Sequence, residues 1–436
     1  MGAHCDAGPG ASGRLTVRTV PIEDPGHLLA RLADHSPVAW VRGGEGLAGW
    51  GEAARLVIPA GEDRFTAGEK RLSELFDGAE VRDQVGVPGS GPVAFGSFTF
   101  DPTSDGSVLV VPAVVLGRRA GRSWMTTITA GATGLDAAGD GDRTAPAPGS
   151  RPAAGGRVRW HDGSLSAPEW EHAVDTAVAR IRAGDLSKVV LARDLYATAP
   201  DEIDVRAVLA RLAARHPDCW TFSCAGLVGA TPELYIRREG AQVSSLVLGG
   251  TAPRGGTAAE DQALGSALLA SAKNTQEHGY TAADVRAALA PLCRRLDVDD
   301  RPWLLRLASL QHLATNVTGL LSAPHPASGN GHGYPSALAV TAALHPTAAV
   351  CGTPAAVAIE LIRDLEGMDR GRYAGPVGWI DAHGDGEWGI ALRCAELDGR
   401  RARLFAGCGI VADSDPAAEL AEAQVKFRPM QDALEG

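Results

Sequence analysis

From residue 157 onward, segments with a helical apolar period alternate with short apolar runs of strand length, and this alternation restricts the fold more than any other feature. Pro168 precedes Ala173, Val174, Ala177, Val178 and Ile181, a spacing that gathers these side chains on one helix face, and Gly184 supplies a stop. A strand-length run follows at 188–197, a second helix at 205–214, then strands at 220–228 and 234–237. Signals of both kinds continue to the C-terminus. A mixed α/β (α+β) architecture follows, with large sheets and helices packed on their outer faces.

The upstream part carries strand-like runs at 92–100, 108–116 and 124–128. Between the two parts lies 134–156, GLDAAGDGDRTAPAPGSRPAAGG, which has almost no large apolar residue and reads as a flexible loop or linker. Residues 1–13 are Gly/Ala-rich and read as a frayed tail. The chain therefore divides into a tail (1–13), a strand-rich part (14–133), a linker (134–156) and a longer part (157–436), with no repeat at a period of 20–50 residues.

Composition narrows the function classes. A net charge of −11 argues against nucleic-acid binding, which calls for a basic face. It leaves room for a small anionic substrate in a locally positive or metal-lined pocket. The 7 cysteines contain no C-x-x-C pair, and an odd total is a poor disulfide framework, so they read as buried thiols of a reducing compartment. The longest apolar run, 108–116, is too short to span a bilayer and contains a proline. The N-terminus shows no basic-then-apolar signal pattern. These features predict a cytoplasmic protein without a membrane segment. The absence of a heptad repeat predicts a monomer.

The C-terminal segment carries the densest chemistry. Asp415 and Pro416 form a helix start, and Glu419, Glu422 and Lys426 then fall at i, i+3 and i+7 on one stripe. The bland reading is an exposed helix laced with Glu–Lys pairs. Immediately upstream, however, Gly407 and Gly409 would form an anion-binding turn, placing two carboxylates, a lysine and that turn close together. Elsewhere, Lys273 and Glu277 are an i, i+4 pair that by itself reads as a surface helix, with His278 in a structural role. Lys188 opens an apolar strand, either as an edge gatekeeper or as a desolvated amine suited to base chemistry. Glu233 follows Thr231 and Pro232 at a turn between strand-like runs, where a carboxylate is normally solvated. Gly249 and Gly250 read as a turn closing a strand. His345 has no partner at zinc-ligand spacing.

Taken in order, the strings SKVVLARDL, GATPELYIRREG, LGGTAPRG, QHLATNVTG, LHPTAAVCGTP, YAGPVGWID, IALRCAEL and LFAGCGIVADSDP resemble the chorismate-utilising enzymes. That family includes isochorismate synthases, salicylate synthases and the large subunits of anthranilate and aminodeoxychorismate synthases. The resemblance runs from about Trp170 to Met430 and implies the family's fold of large antiparallel or mixed sheets flanked by helices. It implies that Lys188 activates water and that Glu233 is the general acid. Glu277 and Glu422, with Glu419 beside them, match magnesium ligands. Arg393, Lys426 and the backbone of Gly407 and Gly409 match groups that hold substrate carboxylates. Thr251, His312, Ala349 and Tyr373 line the matching pocket. Asn274 stands where many relatives carry an acid.

The same comparison points to a branch. Ammonia-using relatives usually carry glutamine at the position of Lys188, so no glutamine amidotransferase partner is expected. Salicylate synthases keep the lysine but tend to read Phe-Pro-Ser-x-Thr where this chain has His345-Pro346-Thr347 and Ala349. The resemblance therefore implies magnesium-dependent isomerisation of chorismate to isochorismate, by water addition at C2 and loss of the C4 hydroxyl. The rivals are a salicylate synthase, which adds pyruvate elimination, and a relative that binds chorismate-like anions without turnover.

Overall fold

The computed structural model describes residues 14–131, 157–308, 310–323 and 333–436. The expected tail at 1–13 and the whole of the expected linker at 134–156 lie outside the described residues. The described residues form two large sheets, one of 13 strands and one of 10. Strand Leu15–Pro21 runs parallel to Glu80–Asp83, whereas its other neighbour, Arg122–Ala130, and the strands around the site described below pair antiparallel. The sheets face each other across a core that includes the fully buried Trp40, Trp124, Trp379, Trp388, Phe95 and Phe222. Trp40 Nε1 crosses between them to donate to Glu387 Oε2 at 2.9 Å, so the buried indole leaves no polar atom unpaired.

Local chemistry explains the element boundaries. Helix Ala167–Arg182 starts at a capping box formed by Ser166 and Glu169 and buries Trp170, Ala173, Val174, Ala177, Val178 and Ile181. The second expected helix is Val205–Arg215, capped by Asp204. The 108–116 run is two strands, Ser107–Val111 and Val114–Arg119, that belong to different sheets. Pro112 marks the crossing, because proline has no N–H to continue a ladder. The 220–228 run is likewise the hairpin Trp220–Cys224 and Leu227–Thr231. Its turn residues Ala225 and Gly226 both have positive φ, the geometry that matches a two-residue hairpin to strand twist.

Strands from both sides of residues 132–156 share the two sheets. Val38–Arg42 pairs with Trp220–Cys224 in one, and Val93–Ser97 with Pro376–Asp381 in the other. Helices cover the outer faces, with Ala167–Arg182 and Val205–Arg215 each packed against Pro416–Glu435 over the first sheet. Ala272–Leu289 packs on strands Gln242–Pro253 and Leu310–Leu321 of the second. No helix among the described residues is long and apolar enough to cross a membrane.

Candidate active site

Lys188 opens strand Lys188–Thr198 but does not stand on a free edge. It is opposite Thr353, and from Val189 onward the strand pairs with Arg401–Ile410. The gatekeeper reading therefore falls. The side chain is only 2% exposed, and its Nζ lies 3.2 Å from Glu277 Oε1. Gly407 and Gly409 do not form a turn either. They lie inside strand Arg401–Ile410, opposite Ala192 and Val190. Their lack of a side chain makes room for others: a Cβ at Gly407 would stand 3.0 Å from Tyr373 Oη. One at Gly409 would stand 2.2 Å from Glu277 Oε1 and 3.0 Å from Lys188 Cε.

Glu233 occupies the turn between strands Leu227–Thr231 and Leu234–Glu239, as the sequence suggests, but it is buried rather than solvated. Burial pushes its carboxyl up to about 7, against the opposing pull of a Leu248 backbone hydrogen bond and the cations Lys188, Arg393 and Lys426. His312, on strand Leu310–Leu321, stands opposite Thr251. Its Nδ1 lies 3.1 Å from Gly250 O; a carbonyl can only accept, so Nδ1 carries the proton. Nε2 is then a buried acceptor with no partner among the described residues. Burial pushes the imidazole down to about 3, which keeps that lone pair free.

Gly249 and Gly250 do not close a strand. Gln242–Pro253 runs through them with a register shift between Gly249 and Thr251. A Cβ at Gly249 would lie 2.9 Å from His278 Cα, and one at Gly250, whose φ is +59°, 2.9 Å from Asn274 Oδ1. The glycine pair thus lets helix Ala272–Leu289 approach the sheet closely enough for Glu277 to reach Lys188. His278 is buried with Nε2 2.7 Å from Thr315 Oγ1, which fits the structural role expected of it.

The stripe of Glu419, Glu422 and Lys426 is not a solvated face. Asp415 caps helix Pro416–Glu435 by accepting from the Ala418 N–H at 2.9 Å. This start directs the stripe into the cavity. Lys426 Nζ lies 2.6 Å from Glu422 Oε1 and donates to Gly407 O at 2.8 Å. Burial opposes the charge of Lys426, but the paired Glu422 carboxylate helps hold the ammonium above its ordinary range. Burial also raises the Glu419 carboxyl, with repulsion from Glu422 adding to it, while Ser414 and Lys273 donate to it at 2.7 and 3.4 Å. Glu422 moves the other way: burial is outweighed by Lys426 and Arg393.

Cys408, Glu419 and Glu422 can bring one ligand atom each within 4.8 Å of one another. The Cys408 thiol is buried and held in its protonated form, so the hard donors are the two carboxylates, with Glu277 facing the same space. That donor set suits a hard divalent cation. Arg393 sits between strands Gly386–Ile390 and Cys394–Asp398 with φ of +48° and lines the same cavity as Tyr373 and Glu422. Tyr373 stacks on Phe405, ring centroids 5.0 Å apart and 8° from parallel.

One cavity is lined by Lys188, Glu233, Thr251, Glu277, His312, Ala349, Tyr373, Arg393, Gly407, Gly409, Glu419, Glu422 and Lys426, so every residue that the resemblance assigned to the site meets there, whereas His278 and His345 do not line it. Sequence reasoning missed others. Lys273, read as surface helix, also lines it beside Asn274, as do the apolar Val190, Leu248, Val350 and Leu392. A signal for Lys273 existed: four residues before Glu277, it shares that residue's helix face.

The sequence profile of the chorismate binding enzyme family matches residues 24–435. The chain belongs to that family. Among its relatives, the isochorismate synthase DhbC of Bacillus subtilis is 42% identical over 287 residues, 63% of this chain and 70% of that one. The isochorismate synthase MenF of the same organism is 34% identical over 369 residues, 79% of this chain and 75% of that one. The crystal structure of DhbC from Bacillus anthracis superposes with a TM-score of 0.74 at 30% identity, covering 93% of this chain and 98% of that one. In this chorismate binding enzyme the cavity lies where both sheets and helices Ala272–Leu289 and Pro416–Glu435 converge.

Proposed function

We propose that this chain is an isochorismate synthase that converts chorismate to isochorismate with the help of a divalent cation, magnesium by preference. The observation that carries the reading is the meeting of Lys188 and a buried Glu233 held near 7 in one cavity with Arg393 and Lys426. Water becomes nucleophilic at neutral pH only if a base takes its proton, and a hydroxyl leaves only if an acid supplies one. In this reading Lys188 performs the first task and Glu233 the second. Arg393 and Lys426 hold the carboxylates of the dianion, and His312 Nε2 accepts from a substrate hydroxyl. Lys188 is ion-paired with Glu277 here, so its amine serves as a base once Glu277 is engaged elsewhere. Glu277, Glu419 and Glu422 would hold the cation, which supplies positive charge to a substrate carboxylate when bound.

Hydration is favoured over pyruvate elimination because Ala349 offers a small wall to the enolpyruvyl group. Elimination requires that group to be held over the C2 hydrogen in a near-attack arrangement. The test is to incubate the protein with chorismate and Mg²⁺ and resolve the products by chromatography. Isochorismate should form with at most traces of salicylate and pyruvate, chelation should stop the reaction, and Lys188→Ala should abolish it without unfolding the protein. Stoichiometric pyruvate release, or turnover that survives the lysine substitution, would overturn the reading.

A further inference from the structure

The wall of the cavity that carries Ala349 is a loop, 345–351, between helix Ala337–Leu344 and strand Gly352–Thr353. Ala349 and Val350 face the cavity. The backbone on either side of them is held by side chains from three separate elements. Tyr235 Oη accepts from the Thr347 N–H at 3.1 Å and donates to Leu344 O at 3.1 Å. Arg370 donates to Val350 O and to Val190 O, each at 2.7 Å, and is itself paired with Glu366 in the core. Asp284 Oδ2 accepts from the Ala348 N–H at 2.9 Å.

Tyr235 and Arg370 are buried, and removing either would open the core. Asp284 is half-buried and does not line the cavity. It lies on helix Ala272–Leu289, seven residues after Glu277 and therefore on the same face two turns on. One helix thus carries both the carboxylate that pairs with Lys188 and the carboxylate that ties down the loop bearing Ala349.

We propose that Asp284 is a positioning residue for the substrate: by holding the Ala348 N–H it fixes Ala349 and Val350 against the bound ring. Ala348 is fully buried, so its N–H has no access to water if the acceptor is lost. The peptide must then turn to find another acceptor, and Ala349 moves with it. A wall that touches substrate and transition state alike governs affinity rather than the chemical step. The inference rests on the cavity being the chorismate site.

The experiment is steady-state kinetics of wild type, Asp284→Ala and Asp284→Asn, followed by chorismate disappearance and accompanied by thermal unfolding. Asp284→Ala should raise KM about five- to tenfold with kcat held within about twofold. Asp284→Asn keeps a carbonyl acceptor and should restore a KM close to wild type. Because Glu277 shares the helix, a distorted helix would instead lower kcat. An unchanged KM in the alanine variant, a rise that asparagine fails to correct, or a joint collapse of kcat and stability would each overturn the role. A product other than isochorismate would sink the proposed activity while leaving this comparison intact.

Discussion

A carboxylic acid held near 7 in a buried turn, as Glu233 is, exists as a mixture of acid and carboxylate at neutral pH. The acid form is the one that can protonate a departing hydroxyl, so turnover of chorismate should decline as pH rises through 7. The same shift carries a stability cost. Below the ordinary value of 4.5 the group is protonated in both folded and unfolded chains and contributes no difference. Between 4.5 and about 7 the folded state retains a proton that the unfolded state has released, so stability falls with rising pH. Above 7 the full cost is present, on the order of 3 kcal/mol. Glu233→Gln should therefore abolish turnover yet unfold at a higher temperature than wild type at pH 8, with the advantage gone near pH 4.5. Thermal melts at the two pH values check this. A difference in melting temperature that is the same at both would show that burial of the ionised form is not what strains the site.

Strand Arg401–Ile410 shows how glycine placement serves an element rather than a turn. Its neighbour Lys188–Thr198 is bonded along its length, so its backbone has no freedom to retreat from a new side chain. Gly409→Ala would drive a methyl group to 2.2 Å from Glu277 Oε1 and 3.0 Å from Lys188 Cε, displacing the base and its partner together. The expected outcome is a fall in kcat of about a hundredfold or more with a nearly unchanged circular dichroism spectrum; wild-type turnover would remove Lys188 and Glu277 from the reaction. The helix start at Asp415 and the helices after Pro168 and near 205–214 could be inferred because capping and apolar period are local properties of the chain. The glycine strand could not, since Gly407 and Gly409 answer to Tyr373, Glu277 and Lys188 from distant segments. Glu419 and Lys426 look like solvated charges for the same reason: what covers them is the strand carrying Cys408 and the helix carrying Lys273, and periodicity within one helix cannot report its partner.

At the scale of the whole molecule, the division of the sequence at 134–156 does not correspond to a division of the sheets. The first sheet passes from Trp220–Cys224 directly to Val38–Arg42, and the second from Pro376–Asp381 to Val93–Ser97. Every candidate site residue lies after residue 157, yet the two strands that would lose their neighbours belong to the sheets on which the site is built. A fragment of residues 157–436 alone would present two long unpaired edges and uncover Trp379 and Phe222, now fully or almost fully buried. Such edges invite pairing with other chains, so this fragment should be recovered as aggregate when expressed alone. Co-expression with residues 14–131 supplies the missing strands and should restore soluble, active protein, because each described strand lies wholly in one fragment or the other. The intact chain should unfold in a single transition, with tryptophan fluorescence and circular dichroism coinciding, since tryptophans of both segments share one core. A soluble 157–436 fragment with a sharp melt of its own would show instead that the N-terminal strands are an accessory layer, and that the catalytic part builds its sheets without them.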